Sequence, residues 1–530
     1  MSHQPLTHGL AARGKHGALA SPHFLASEVG LEVLRAGGSA VDAAIATNAA
    51  LSVVAAHSCG LGGDAFWLVW DGARVHGLNG SGASASGATL DAAHAAGLSQ
   101  MPLRGPWTVT VPGAIHSWGE AHARFGRLPW PDLLEPAAEL ADSFPATDGW
   151  VTAIERTARL FGTDGDWART FRPHGRPWRV GESVALPALA ATLRLIGAEG
   201  PVVAYRGPLA DRAANYLASR GSPLRGDDFG IHRSEWVEPI SIGYRGLTSV
   251  SLPANSSGPT ALQLLGLLER FEPDDDDARW AHIGLQAAKL ALAERDAHLT
   301  DPRDMDPRAV EELLSPDRLD RLAATIDPDR LTSLPTAPAL GGDTVYLATA
   351  DAEGSVVSLL ESNYAGFGSG LVDPRTGIAY QNRGAFFSLD PGHANVLAPR
   401  KRTVHTLVPG LLMRDDRPWI AHGSMGGEIQ PLIYAQLVSA IVDRQLDVAQ
   451  AVAAPRWATH HAGDDPDPAL AVLEDRFGAD VIGGLRDRGH RVEMVERYSS
   501  ALGHCHAIEV GPEGYSAASD PRVEGSALAW

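Results

Sequence analysis

About two-thirds of the way along this chain, a turn of small residues ends in an acid and a threonine opens a strand: Gly341-Gly342-Asp343-Thr344-Val345-Tyr346-Leu347-Ala348. The residues that follow read as a hairpin turn (Asp351 to Gly354) and a second strand (Ser355 to Leu360). A glycine-rich stretch comes next, Glu361-Ser362-Asn363-Tyr364-Ala365-Gly366-Phe367-Gly368-Ser369-Gly370. A residue carrying both a hydroxyl and a free α-amine holds nucleophile and base together. A backbone break between Asp343 and Thr344 would give Thr344 both.

The 530 residues are 44% apolar and 20% charged, which fits a soluble globular protein with one or two cores. A net charge of −19 disfavours nucleic acid and anionic membranes as partners, since both require a basic face. Cys59 and Cys505 are too few for a disulfide framework. Met1 to Ser21 is polar and lacks the apolar core of a secretory signal. Val41 to Ala56, the most apolar stretch, contains Asp42, Thr47 and Asn48 and is shorter than a bilayer span. A cytoplasmic protein is expected.

Helical spacing predicts a helix from Phe24 to Ala36, stopped by Gly37-Gly38. Ser39, with Asp42 three residues on, caps a second helix, Ala40 to Val54, which is apolar nearly all round and therefore buried. A glycine loop, His57-Ser58-Cys59-Gly60-Leu61-Gly62-Gly63-Asp64, leads into strands Ala65 to Trp70 and Val75 to Asn79, joined at Asp71-Gly72. The middle, Leu128 to Arg330, reads as helical apart from a strand-like island, Ile240 to Leu252. Asp274 to Asp277 reads as a solvated loop without calcium-loop spacing. Leu331 to Leu340 reads as an exposed connector. Beyond Thr344 come strands, then helices at Pro431 to Arg444 and Val448 to Ala453, then strands near the end.

Gly60-Leu61-Gly62-Gly63 follows a helix and precedes a strand, the reverse of a dinucleotide-binding turn. His460-His461 with Asp464 and Asp465 reads as a surface loop, because adjacent histidines point apart on any regular element. No metal or cofactor is expected. Ser424, in Gly423-Ser424-Met425-Gly426-Gly427, has His422 where a nucleophile elbow has glycine. Gly426 and Gly427 suit either backbone N–H donors to an oxyanion or a tight turn.

The chain resembles the gamma-glutamyltransferase family of N-terminal nucleophile hydrolases. The matching segments in the first half are Ala36-Gly37-Gly38-Ser39-Ala40-Val41-Asp42-Ala43-Ala44, His57-Ser58, Gly60-Leu61-Gly62-Gly63-Asp64-Ala65-Phe66 and Val111-Pro112-Gly113. Those in the second are Gly342-Asp343-Thr344, Phe367-Gly368-Ser369-Gly370, Pro399-Arg400-Lys401-Arg402, Gly423-Ser424-Met425-Gly426-Gly427, Ala454-Pro455-Arg456 and Ala518-Ser519-Asp520-Pro521-Arg522. The resemblance implies an α/β (α+β) fold, a four-layer αββα sandwich, made as one precursor that cleaves itself before the threonine. Residues 1–343 would form a large subunit and 344–530 a small one, together one folded unit, with a dimer of these heterodimers left open. It also implies Thr344 as nucleophile, Ser362 in place of a supporting threonine, and Gly426 and Gly427 as oxyanion donors. The Thr344 α-amine would shuttle the proton, and such an amine ordinarily titrates near ~8.

The departures from the family concern specificity. Glutathione-cleaving members carry an arginine for the substrate α-carboxylate where this chain reads Asn79-Gly80-Ser81-Gly82-Ala83-Ser84-Ala85. They carry two acids for the α-ammonium where it reads Gln381-Asn382-Arg383-Gly384-Ala385-Phe386-Phe387-Ser388, so Arg383 and Phe386 stand in the acids' places. A guanidinium suits a carboxylate and repels an ammonium. His405-Thr406 replaces a serine pair, and Leu389 to Pro399 is short for the family's lid. Arg383, His405, Thr406 and Tyr364 are the candidate substrate contacts, with an ion pair to a core or interface acid as the other reading of Arg383. The pattern is similar to a subgroup that includes oxamate amidohydrolase and the glutaryl-type cephalosporin acylases. The expected activity is hydrolysis of a small anionic amide, oxamate-like first. Glutathione hydrolysis or transfer, and an inactive scaffold of the same fold, are the alternatives.

Overall fold

Alternation along the strand Asp343–Ala350 shows how the layers arise. In a computed structural model describing residues 11–334, 342–460 and 467–530, Val345 and Leu347 join a core formed with helices. Tyr346, Ala348 and Ala350 join a second core, between two sheets. Successive side chains of a strand point to opposite faces, so a strand apolar on both is buried on both.

The first sheet is antiparallel and has seven strands, in the order Ser526–Ala529, Ala18–Ser21, Asp343–Ala350, Val356–Tyr364, Asp64–Trp70, Val75–Gly80 and Glu235–Val237. The second, also of seven, runs Ala12–Gly14, Gly514–Ser519, His504–Gly511, Arg417–Met425, Gly410–Arg414, Leu247–Ser251 and Ile240–Tyr244. Phe66, Leu360 and Tyr346 from one sheet and Leu411, Ala421 and Ile508 from the other fill the space between them. Helices Ala40–Val54 and Ala114–Phe125 lie against the outer face of the first sheet, and Gly258–Leu268, Gln430–Val442 and Val448–Ala453 against that of the second. The result is the expected αββα sandwich.

The expected capping box forms, with Asp42 N donating to Ser39 Oγ (3.1 Å) and Ser39 N to Asp42 Oδ2 (2.9 Å). The helix that it starts is buried at every residue, as its composition requires. Three readings change. The strand after the hairpin continues to Tyr364, because buried Glu361 and Ser362 find polar partners within the fold and need no loop to reach water. The island at 240–252 is a hairpin, turned by Arg245 and Gly246 at φ 49° and 79°, with a further strand, Glu235–Val237, before it. A helix, Ala479–Asp487, interrupts the last strands. Its Gly483-Gly484 pair masks the pattern, yet Gly484 lets it approach Ala278, whose Cβ lies 2.6 Å from where a Cβ on Gly484 would stand. Residues 335–341 of the connector and the Gly341 turn, His461, Asp464 and Asp465, and residues 1–10 lie outside the described residues. Among the described residues no helix is long and apolar enough to cross a membrane.

Candidate active site

The register of the Thr344 strand slips at the threonine itself. Asp343 pairs with Tyr364 but Val345 pairs with Glu361, so Ser362 and Asn363 together oppose Thr344. Such a bulge re-aims side chains, and Tyr364 leaves it at φ 74°. The slip brings two hydroxyls together: Thr344 Oγ1 donates to Ser362 Oγ at 3.1 Å. Ser362 Oγ in turn donates to the carbonyl oxygen of Asp343 at 2.8 Å. It also accepts from Tyr364 N at 2.8 Å and from Arg383 Nη2 at 3.2 Å. Gln430 Nε2 donates to Thr344 Oγ1 at 3.4 Å. Both Thr344 and Ser362 are buried.

Gly426 and Gly427 follow directly on the strand Arg417–Met425. Gly427 has φ 55°, a left-handed conformation that favours glycine. Its Cα lies 3.1 Å from where a Cβ on Gly342 would stand, so this backbone runs against the residue just before the Asp343–Thr344 bond.

Arg383 begins a short 3₁₀ turn, Arg383–Phe386, with its backbone N–H held by Gln381 Oε1. Its guanidinium lies 4.6 Å from the centre of the Tyr364 ring and 5.9 Å from that of Phe386. Nη1 donates to Thr406 Oγ1 at 3.0 Å and Nη2 to Ser362, while Nε is buried without a hydrogen-bond partner among the described residues. Among the described residues these side-chain hydrogen bonds go to hydroxyls and not to carboxylates. Burial lowers the guanidinium to about 10, with the charge of Asp64 opposing, so it remains a cation at neutral pH.

His405 is paired within the fold through one ring nitrogen. Its Nε2 lies 3.0 Å from Asp64 Oδ2, and Asp64 Oδ1 accepts from Gly113 N at 2.9 Å. Burial pushes the Asp64 carboxyl up to about 7 against the pull of Arg383. Burial, with Arg383 adding to it, holds His405 well below its usual range, so the imidazole is neutral. The structure therefore brings Thr344, Ser362, Tyr364, Arg383 and Thr406 into one cluster and sets His405 beside it on Asp64. Two residues of this cluster carried no assigned role in the sequence. Gln430 is signalled only by its place just after Gly426-Gly427, and Asp64 by its place at the end of the glycine loop, within a segment that matches the family.

A family model described as Gamma-glutamyltranspeptidase matches residues 26–530. The glutathione hydrolase-like YwrD proenzyme of Bacillus subtilis is 38% identical, over 97% of this chain and 98% of that protein. The oxamate amidohydrolase proenzyme of Klebsiella pneumoniae is also 38% identical, over 97% and 98%. Among solved structures, the cephalosporin acylase from Bacillus halodurans superposes with a TM-score of 0.92 at 38% identity, covering 100% of this chain and 99% of that one.

Proposed function

The chain belongs to the gamma-glutamyltranspeptidase family and is an enzyme of its amidohydrolase and acyltransferase class, and we propose on that basis that it is a precursor cleaved between Asp343 and Thr344 which then hydrolyses a small carboxylate-bearing amide. In maturation, Thr344 Oγ1 adds to the Asp343 carbonyl carbon, the C–N bond breaks and an ester forms. Water then hydrolyses the ester, giving a large subunit of 1–343 and a small one of 344–530 with a free Thr344 amine. The hydrogen bond from Ser362 to the Asp343 oxygen polarises the bond to be broken.

In turnover the amine takes the Oγ1 proton, Oγ1 attacks the substrate carbonyl, and the N–H groups of Gly426 and Gly427 receive the oxyanion. The leaving nitrogen takes the proton, and water releases the acid from Thr344. With oxamate, one water is consumed and oxalate and ammonia leave.

The observation that carries this reading is Arg383, a buried cation bonded to Thr406 and to the hydroxyl that Thr344 itself contacts. A carboxylate there completes its hydrogen bonding, and an α-ammonium would be repelled. Tyr364 lies against the guanidinium, and the His405–Asp64 pair backs the cluster. The oxamate-hydrolysing relative agrees with this reading; the glutathione hydrolase-like one makes glutathione the necessary comparison. The test is to follow cleavage on a denaturing gel, then compare ammonia released from oxamate with glutamate released from glutathione. Two bands for the parent, one inactive band for Thr344→Ala and a preference for oxamate are expected. Efficient glutathione turnover would overturn the role of Arg383.

A further inference from the structure

Asp343 is held through its side chain as well as its backbone. Its carboxylate pairs with Arg156 (Nη2 to Oδ2, 3.2 Å); burial raises this carboxyl, and the charges of Arg156 and Arg104 and the nearby Gly366 N–H oppose that rise. Gly366 leaves the space the carboxylate needs, since a Cβ there would stand 2.8 Å from Asp343 Oδ2 and 3.8 Å from Arg156 Nη2. Arg104 lies 4.8 Å from the centre of the Phe161 ring. Its Nη1 donates to the carbonyl oxygens of Gly366 and Gly368, and its buried Nε has no hydrogen-bond partner among the described residues. Arg156 is 62% exposed, so the cradle opens to solvent although Thr344 is buried.

We propose that Arg156, the Gly366 N–H and Arg104 form a carboxylate subsite that Asp343 fills in the precursor and the substrate fills after cleavage. This rests on the Thr344 reading above and extends it to the length of the substrate. In the precursor the acyl group attacked is that of Asp343, whose side-chain carboxylate is separated from the reacting carbonyl by two carbons, Cα and Cβ. An acyl donor of the same length is the monoamide of a four-carbon dicarboxylic acid, succinamate. Oxamate bears its carboxylate directly on the reacting carbonyl, so it is too short to span to the cradle and meets Arg383 instead. When the Asp343 chain end leaves, two guanidiniums remain around a glycine-lined recess, and such a site attracts an anion. Turnover of succinamate then balances as for oxamate: Oγ1 displaces ammonia to give a succinyl ester, and one water releases succinate.

The experiment measures kcat and KM of the cleaved enzyme for oxamate, succinamate and glutaramate, in the parent and in Arg156→Ala, Arg156→Lys and Gly366→Ala. The parent is expected to prefer succinamate to glutaramate. In Arg156→Ala and Gly366→Ala the succinamate-to-oxamate ratio of kcat/KM should fall about tenfold or more, chiefly through KM, with partial recovery in Arg156→Lys. Should Arg156→Ala fail to cleave itself, Gly366→Ala and Arg156→Lys make the same comparison. Succinamate turnover without oxamate turnover would refute oxamate as substrate and leave the subsite standing. No succinamate turnover by a cleaved parent, a preference for glutaramate, or an unchanged ratio in both variants would overturn the subsite.

Discussion

The Ser362 hydroxyl donates to the carbonyl oxygen of Asp343 at 2.8 Å, across the one point where the Thr344 strand slips register. Because Ser362 Oγ itself accepts from Thr344 Oγ1 at 3.1 Å, a single side chain touches both the nucleophile and the bond it would break. Ser362→Ala is therefore expected to slow self-cleavage roughly tenfold to a hundredfold, the scale for one donor to a developing oxyanion, and Ser362→Thr to restore most of it. The fraction of intact precursor against time on a gel measures both. Parental cleavage by the alanine variant would separate Ser362 from the reaction.

Arg383 offers a test that separates function from stability. A buried cation without a bonded carboxylate carries a desolvation cost, and replacing such groups by apolar ones often leaves stability unchanged or raised. Arg383→Met should then lower kcat/KM on an anionic amide about a hundredfold without lowering Tm, and Arg383→Lys should recover only part, lacking the two-pronged contact. A parallel loss of activity and Tm would mean that Arg383 is mainly structural.

Local rules made much of this arrangement legible. The Ser39–Asp42 box and the all-apolar helix beyond it follow from spacing and composition, and the strand opened by Thr344 from its apolar run. Thr344, Ser362, Arg383 and Thr406 stand out as motif positions, and the structure brings them together. What stayed hidden depends on distant pairing. Asp64 and His405 are 341 residues apart, and Gln430 reaches Thr344 only because the helix it starts lies under the second sheet. Arg156 looks like any exposed arginine of the helix Asp148–Phe161 until Asp343 is placed beside it. Glu361 to Tyr364 fall beyond the strand expected to end at Leu360, since polar residues open the glycine-rich stretch there, and their buried partners account for the longer strand.

Gln430 is expected to matter to the chemical step. Its Nε2 bonds Thr344 Oγ1 at 3.4 Å and its Oε1 accepts from Val408 N at 3.3 Å, so it ties the nucleophile to the backbone near Thr406. Gln430→Met, similar in volume but without these hydrogen bonds, should lower kcat about tenfold with little change in KM, and destabilise by about 1 kcal/mol through the lost acceptor. Steady-state kinetics and thermal melts on the cleaved enzyme measure the two effects. An increase confined to KM would place Gln430 in substrate binding instead.

Glu361 should make stability fall as pH rises. It is fully buried on the Thr344 sheet, taking the Gly60 N–H at 3.0 Å and Asn48 Nδ2 at 3.2 Å, and burial pushes its carboxyl from 4.5 up to about 8. Between those values the folded chain keeps a proton that the unfolded chain has lost, so the slope of unfolding free energy with pH is negative there. Above about 8 both states are ionised and the contribution levels off. Glu361→Gln cannot titrate. The Tm of the parent minus that of the variant is therefore expected to decrease steadily from about pH 5 to about pH 8 and then flatten, with groups common to both proteins cancelling in the difference. Melting curves for the two proteins across that range, in one buffer series at constant ionic strength, supply the comparison. Parallel profiles would mean that Glu361 is ionised in the folded state throughout, its charge carried by the Gly60 and Asn48 donors.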